Sequence, residues 1–307
     1  MPRPSDRVIR AGRPFDAIGT TWQIDAERPL SAELAQAIDD LVERFDRTYS
    51  RFRGDSVVSR FAAGPTSERF PTDSVRLFAF YRELFDATSG AVSPFVGASL
   101  ERLGYDATYS LTQAGQPVAA PLWDDIARWD PETRTLTTTQ PVVIDVGAAG
   151  KGLLVDLIGE LLAADGLRRF TVDASGDLLH RQPSDDADGT GGAVDGLRIA
   201  LEHPYDPSKA IGVATITGGS LCASATNRRA WGNGLHHVID GRTGLPTNEV
   251  AATWTTAADT MHADGLATAL FFTDHTTLST RFAFESVRMF TSGLVDYSAV
   301  FPGELFT

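Results

Sequence analysis

The chain has 307 residues, 42% hydrophobic and 22% charged, which excludes a disordered chain and supplies enough apolar material for a large core. With 27 basic residues against 40 acidic ones the formal net charge is −13, which excludes general binding to nucleic acid or anionic membrane, because an acidic face gains nothing from counterion release. No stretch approaches the roughly 20 apolar residues of a membrane span, and the single cysteine, Cys222, excludes an internal disulfide or a thiolate metal cluster.

The N-terminal MPRPSDRVIRAGRPFDAIG has basic residues but no apolar core and no cleavage site, so a cytoplasmic location is expected. Ser31 is placed to cap a helix whose Leu34, Ile38, Leu41, Val42 and Phe45 fall on one face. A second helix is predicted over 73–87, with Val75, Phe78, Tyr81, Leu84 and Phe85 apolar. VVIDV (142–146) is short and β-branched and reads as a strand. A third helix over 152–165 carries Leu154, Leu157, Ile158, Leu161 and Leu162, and Gly166 stops it. Further strands are predicted at 169–174, 197–202, 211–217 and 250–257. Between them, the Asp- and Gly-rich 181–196 is expected to be a mobile hairpin loop inside one domain spanning 1–307. Helices cluster early and strands late, so the expected fold class is α+β and not an alternating parallel sheet.

Four segments hold residues suited to chemistry. In VVIDVGAAGKGLLVD (142–156), a Gly-rich turn follows Asp145 and Lys151 stands where the third helix begins. Unpaired N–H groups, a helix dipole and a full charge make that an anion-binding layout; the alternative is a tight strand-to-helix turn with a surface lysine. It is not a P-loop, because Gly147 and Gly150 are too close and Gly152 follows the lysine. In MHADGLATALFF (261–272), Asp264 and Thr268 lie one helical turn apart, as two hard oxygen ligands for Mg²⁺ or as a cap and a back-bonded threonine.

In GLHHVIDGRTGLP (234–246), a histidine suits a general base near neutral pH, with Asp240 to orient it. Neighbouring histidines on a strand face opposite ways, and no third ligand is spaced for zinc. SLCASATNRRAW (220–231) sets Arg228 and Arg229 either against a phosphate or in solvent, with Cys222 as a small core residue.

Taken in order, these segments and four others resemble the ApbE family, the FAD:protein FMN transferases, from about Ile18 to the end of the Asp264 helix. IGTTW (18–22), YSRFRGDSVVSRF (49–61), SGAVSPFVGASLERLGY (89–105) and FTVDASGDLL (170–179) stand where that family has its landmarks, beside the Asp…Gly-Lys-Gly…Asp, HVIDGRTGLP and ADGLATAL signatures. The resemblance implies a single T-fold-related α+β domain of mixed sheets with packed helices. It implies Mg²⁺, with Mn²⁺ as the alternative, held by Asp264, Thr268 and the Ala148 carbonyl. Flavin contacts would fall at Ile18, Phe52, Ala91, Val92, Ser93, Asp145, Lys151, Val238 and Ile239.

The implied reaction is transfer of FMN from FAD to a Thr or Ser hydroxyl on an acceptor protein with an FMN-binding domain. AMP is released, and His237, Asp240 and Lys151 are the catalytic group. An FAD pyrophosphatase and a non-catalytic FAD-binding protein are the two rival readings. This chain departs from the family pattern at Phe52, Val92, Ser93, Asp173, Ser175, Ala225 and Ala267, while the metal pair and His237 are retained.

Overall fold

The computed structural model describes residues 11–183 and 196–306. Most of the expected 181–196 loop, and the first ten residues, lie outside the described residues.

Eight strands form the main sheet, in the order Phe15–Ala17, Thr20–Ala26, Phe170–Asp173, Asp177–Arg181, Gly219–Ala225, Val250–Ala257, Glu285–Phe290 and Val295–Tyr297. Every neighbouring pair is antiparallel, as the α+β reading requires. Val250–Ala257 is buried at all but its last residue because both its faces are covered. Thr253 and Thr255 face the Thr260–Ala269 helix, donating to Ala267 O and Ala263 O. Ala252 and Trp254, one residue out of phase, join Leu201, Ile211 and Ala214 of a second, three-stranded sheet.

The helices follow their periodicity. Ser31 Oγ accepts the Leu34 N–H at 3.1 Å, and the helix Ala32–Tyr49 buries Leu34, Ile38, Leu41, Val42 and Phe45 as expected. The second spans Ser74–Ala87 and the third Gly150–Ala164, which begins two residues before its expected start and so takes Lys151 into its first turn. This third helix is apolar on most sides and lies in the main core with Trp22, Ile24, Phe170 and Val172. Among the described residues no helix is long and apolar enough to cross a membrane.

One strand expectation is corrected. Residues 142–146 alternate in burial as a strand would, yet they enter no ladder. Val142 N–H donates to Phe61 O and Asp145 N–H to Pro94 O, both in loop or short-turn backbone. The segment is an extended connector, and its β-branched residues reflect half-burial and not sheet pairing.

Candidate active site

A cavity of about 1430 Å³ opens where the loops of the main sheet meet the N-terminus of the Gly150–Ala164 helix and the Asp264 and Thr268 positions of the Thr260–Ala269 helix. Of the residues expected at the site, Ile18, Phe52, Ala91, Val92 and Ser93 line it from the N-terminal third. Asp145, Ala148, Lys151, His237, Val238, Ile239, Asp264 and Thr268 line it from the rest of the chain. Asp240 does not.

The charged corner is built by two helices and one turn. Lys151 Nζ lies 3.0 Å from Asp177 Oδ2 and donates to Ala174 O at 3.1 Å. Gly152, the next residue, donates its N–H to Asp264 Oδ2 at 2.9 Å. The N-terminus of the second helix is fixed from the first, because Asp156 accepts the N–H groups of Thr260 and Met261 at 2.8 and 2.9 Å. Asp177, the retained Asp of the FTVDASGDLL segment, was not among the expected site residues. It is delivered by a turn in which Ser175 takes φ +56 and Gly176 φ +112, with Asp173 Oδ1 accepting the Ser175 N–H.

Burial pushes the Asp264 carboxyl well up, and the neighbouring Asp177 charge adds to that. Asp177 is likewise pushed up by burial, against the pull of Lys151. Burial alone would lower the Lys151 pKa, but Asp177 and Asp264 outweigh it and hold the ammonium above its ordinary value. One cation between two buried carboxylates leaves negative charge unbalanced, and a divalent ion is the natural complement. Asp264, Thr268 and the Ala148 carbonyl are hard oxygen donors, the set Mg²⁺ takes alongside water. Among the described residues no group of three or more His, Cys, Asp or Glu forms a metal cluster, so a single carboxylate with neutral oxygens is the donor set on offer.

The opposite wall is aromatic. Phe52 stacks on Tyr109, with centroids 4.9 Å apart and planes 9° apart, and meets Tyr105 edge-on at 5.4 Å. Arg51 lies under this wall, its Cζ 4.1 Å from the Phe52 centroid and 5.0 Å from that of Tyr105. Its Nε is 2.5 Å from Asp145 Oδ2, and Asp145 Oδ1 accepts the Gly147 N–H at 2.7 Å. Burial works to raise the Asp145 carboxyl, but Arg51 overrides it and holds the group below its ordinary value. Beside the wall, Ile18 adopts φ +42, an outlier for a β-branched residue, at the rim of the cavity.

The two histidines diverge as strand neighbours should. His236 is buried, with Nε2 2.7 Å from Thr247 O, whereas His237 lines the cavity. Burial, then the Arg229 and His236 charges, take the His237 pKa down to about 3, and its Nδ1 has no partner among the described residues.

The expectation that Asp240 orients His237 is corrected. Its Oδ1 accepts the Arg242 N–H at 2.9 Å, and Arg242 Nη2 lies 2.6 Å from Oδ2. A turn amide and a guanidinium fork two residues on engage both oxygens of the carboxylate. The turn instead braces the cavity wall, with the Gly241 N–H donating to Ala91 O at 2.8 Å.

The arginine pair divides. Arg228 is paired with Glu202 at 3.1 Å and largely solvated, whereas Arg229 Nη1 donates to the Tyr105 hydroxyl at 2.9 Å. Cys222 is fully buried against Ala263 and Ala267 and is a core residue.

The ApbE family profile matches residues 18–283. An FAD:protein FMN transferase of Vibrio cholerae is 27% identical over 285 residues, covering 87% of this chain and 82% of that protein. One of Treponema pallidum is 26% identical over 295 residues, covering 86% of this chain and 79% of that protein. Among solved structures, the ApbE protein of Thermotoga maritima superposes with a TM-score of 0.80 at 21% identity, covering 96% of this chain and 100% of the other. The flavin transferase ApbE of Vibrio cholerae gives 0.74 at 21% identity, covering 94% and 97%. At that identity the structures speak for the fold alone; the profile match spans most of the sequence, and the chain belongs to the ApbE family.

Proposed function

We propose that the protein transfers the FMN part of FAD to a Thr or Ser hydroxyl of an acceptor protein that carries an FMN-binding domain, releasing AMP. The observation that carries this reading is the cavity itself. It joins an aromatic wall, suited to a ring system, to a corner that holds Lys151 and a surplus of buried carboxylate, and its roughly 1430 Å³ accommodates a dinucleotide. The transferase names of the relatives from Vibrio cholerae and Treponema pallidum point the same way.

In this reading Asp264, Thr268 and the Ala148 carbonyl hold Mg²⁺ or Mn²⁺, which when bound supplies charge neutralisation at the phosphate oxygens. Phe52, Ile18, the 91–93 turn, Asp145, Val238 and Ile239 seat the isoalloxazine. Lys151 keeps its charge through Asp177 and faces the pyrophosphate. The acceptor oxygen forms a bond to the FMN-side phosphorus, the bond from that phosphorus to the AMP oxygen breaks, and the hydroxyl proton passes to His237. His237 is neutral near pH 7, the form a general base requires, and its lowered pKa makes it a weak one.

The test is incubation with FAD and Mg²⁺, with and without an FMN-binding domain bearing an acceptor threonine, following intact mass and AMP. An FMN-sized mass gain on the acceptor, lost on chelation, is expected. AMP release at the same rate without acceptor, and no mass gain, would replace transfer by hydrolysis.

A further inference from the structure

Arg51 has an unfinished hydrogen-bond set. Its side chain is 3% exposed, its Nε is committed to Asp145, and Nη1 and Nη2 are buried with no partner among the described residues. A buried guanidinium with unpaired N–H groups is costly, and native proteins rarely retain one without a use for it. The residue lines the cavity beside Phe52, Tyr105 and Val92.

Resting on the flavin reading above, we propose that Arg51 is a specificity-determining residue whose Nη groups donate to the carbonyl edge of the isoalloxazine ring. The chemistry of its surroundings selects that part of the ligand. Asp145 already supplies the counter-charge, so what Arg51 has left to offer is directional donors without net positive charge. A phosphate placed there would meet the Asp145 carboxylate. A neutral, planar carbonyl edge would meet donors set among aromatic rings, 4.1 and 5.0 Å from the guanidinium carbon. The charge that would face the pyrophosphate in that reading lies elsewhere, on Lys151, which is paired with Asp177. Neither Nη is open to solvent, so the proposal includes a shift of the aromatic wall. Tyr109, 40% exposed and stacked on Phe52, is the wall member with solvent on its outer side.

The test compares FAD with ADP-ribose, which keeps the adenosine and pyrophosphate but lacks the ring, in equilibrium binding to wild type and to Arg51→Lys. Lysine retains the charge facing Asp145 and loses the planar fork. Arg51→Lys is expected to weaken FAD binding by about 10- to 100-fold, the scale of charged hydrogen bonds, and to leave ADP-ribose unchanged. Equal loss for both ligands, or no loss for FAD, would overturn the proposal. A second measurement uses wild type alone: FAD carrying sulfur in place of a ring carbonyl oxygen accepts hydrogen bonds poorly. Wild type should bind it at least about 5-fold more weakly than FAD, and equal affinity would overturn the proposal. Wild type that binds neither FAD nor ADP-ribose would overturn the flavin reading and this inference with it. That result is distinct from FAD bound equally by wild type and variant, which sinks the Arg51 role alone.

Discussion

The Gly152 N–H donates to Asp264 Oδ2 across 2.9 Å, so the helix that carries Lys151 is tied directly to the carboxylate of the helix beside it. The two approach this closely because position 152 has no side chain. A Cβ there would lie 2.3 Å from Thr260 O and 2.8 Å from Asp264 Cβ. Lys151 and Asp264 therefore reach the cavity from adjoining turns.

Gly152→Ala is expected to wedge these helices apart. Overpacking against backbone costs about 1–3 kcal/mol, which urea unfolding would read. The bond to Asp264 would lengthen as well, so FAD turnover should fall by more than the stability loss explains. Gly54→Ala, at an exposed glycine where a Cβ would meet nothing within 4 Å, is the neutral control. A Gly152→Ala protein as stable as that control would remove the close approach as a determinant.

Asp264→Asn separates the cost of the carboxylate from its use. Its charge is opposed by burial and by Asp177, so the neutral variant is expected to melt at or above wild type in the absence of metal. Wild type should gain stability on adding Mg²⁺, about 2.7 kcal/mol at a hundredfold excess over Kd, and the variant should gain little. Calorimetry with and without MgCl₂ reads both effects. An equal metal-dependent gain in the variant would move the ion away from Asp264.

The helices and their buried faces were legible because helical periodicity is local: Leu34, Ile38 and Leu41 needed no knowledge of their partners. The Asp264–Thr268 pair was legible for the same reason. What the sequence could not show is where extended backbone finds its hydrogen bonds, so 142–146 reads as a strand although its partners are Phe61 and Pro94. Arg51 escaped notice because a buried arginine and a surface one are identical in sequence. Its burial depends on Tyr105, 54 residues on, and on Asp145 from a third segment. The pairing of Asp177 with Lys151 was not legible either, because only the fold sets the two segments side by side.

Asp240→Ala tests the corrected role of that carboxylate. It holds the Arg242 amide and guanidinium, so the loss should appear as about 1 kcal/mol of stability through a loosened turn. Activity per folded molecule should stay within about threefold, since positioning of His237 does not pass through it. A fall of a hundredfold or more in kcat, with stability unchanged, would restore Asp240 to the catalytic group.

His237 gives a signed pH prediction. Its folded pKa, about 3, lies below the 6.5 of a free imidazole, because burial and the Arg229 charge disfavour protonation. The contribution to stability is therefore fully present above about pH 6.5 and declines as pH falls from there toward 3, by at most about 1.4 kcal/mol per pH unit. Asp156 acts in the opposite sense between its ordinary value and about 6, since burial raises its carboxyl. The wild-type profile thus sums these with the other shifted groups, Asp264 and Asp177 among them, and the difference between wild type and His237→Asn isolates the histidine. That difference should widen in the variant's favour as pH is lowered from 7 to 5 in urea titrations. The His237 ring resonance should show no midpoint near 6.5 over the same range. A midpoint there, with parallel stability profiles for the two proteins, would mean that the imidazole is solvated and not held neutral by the cavity wall.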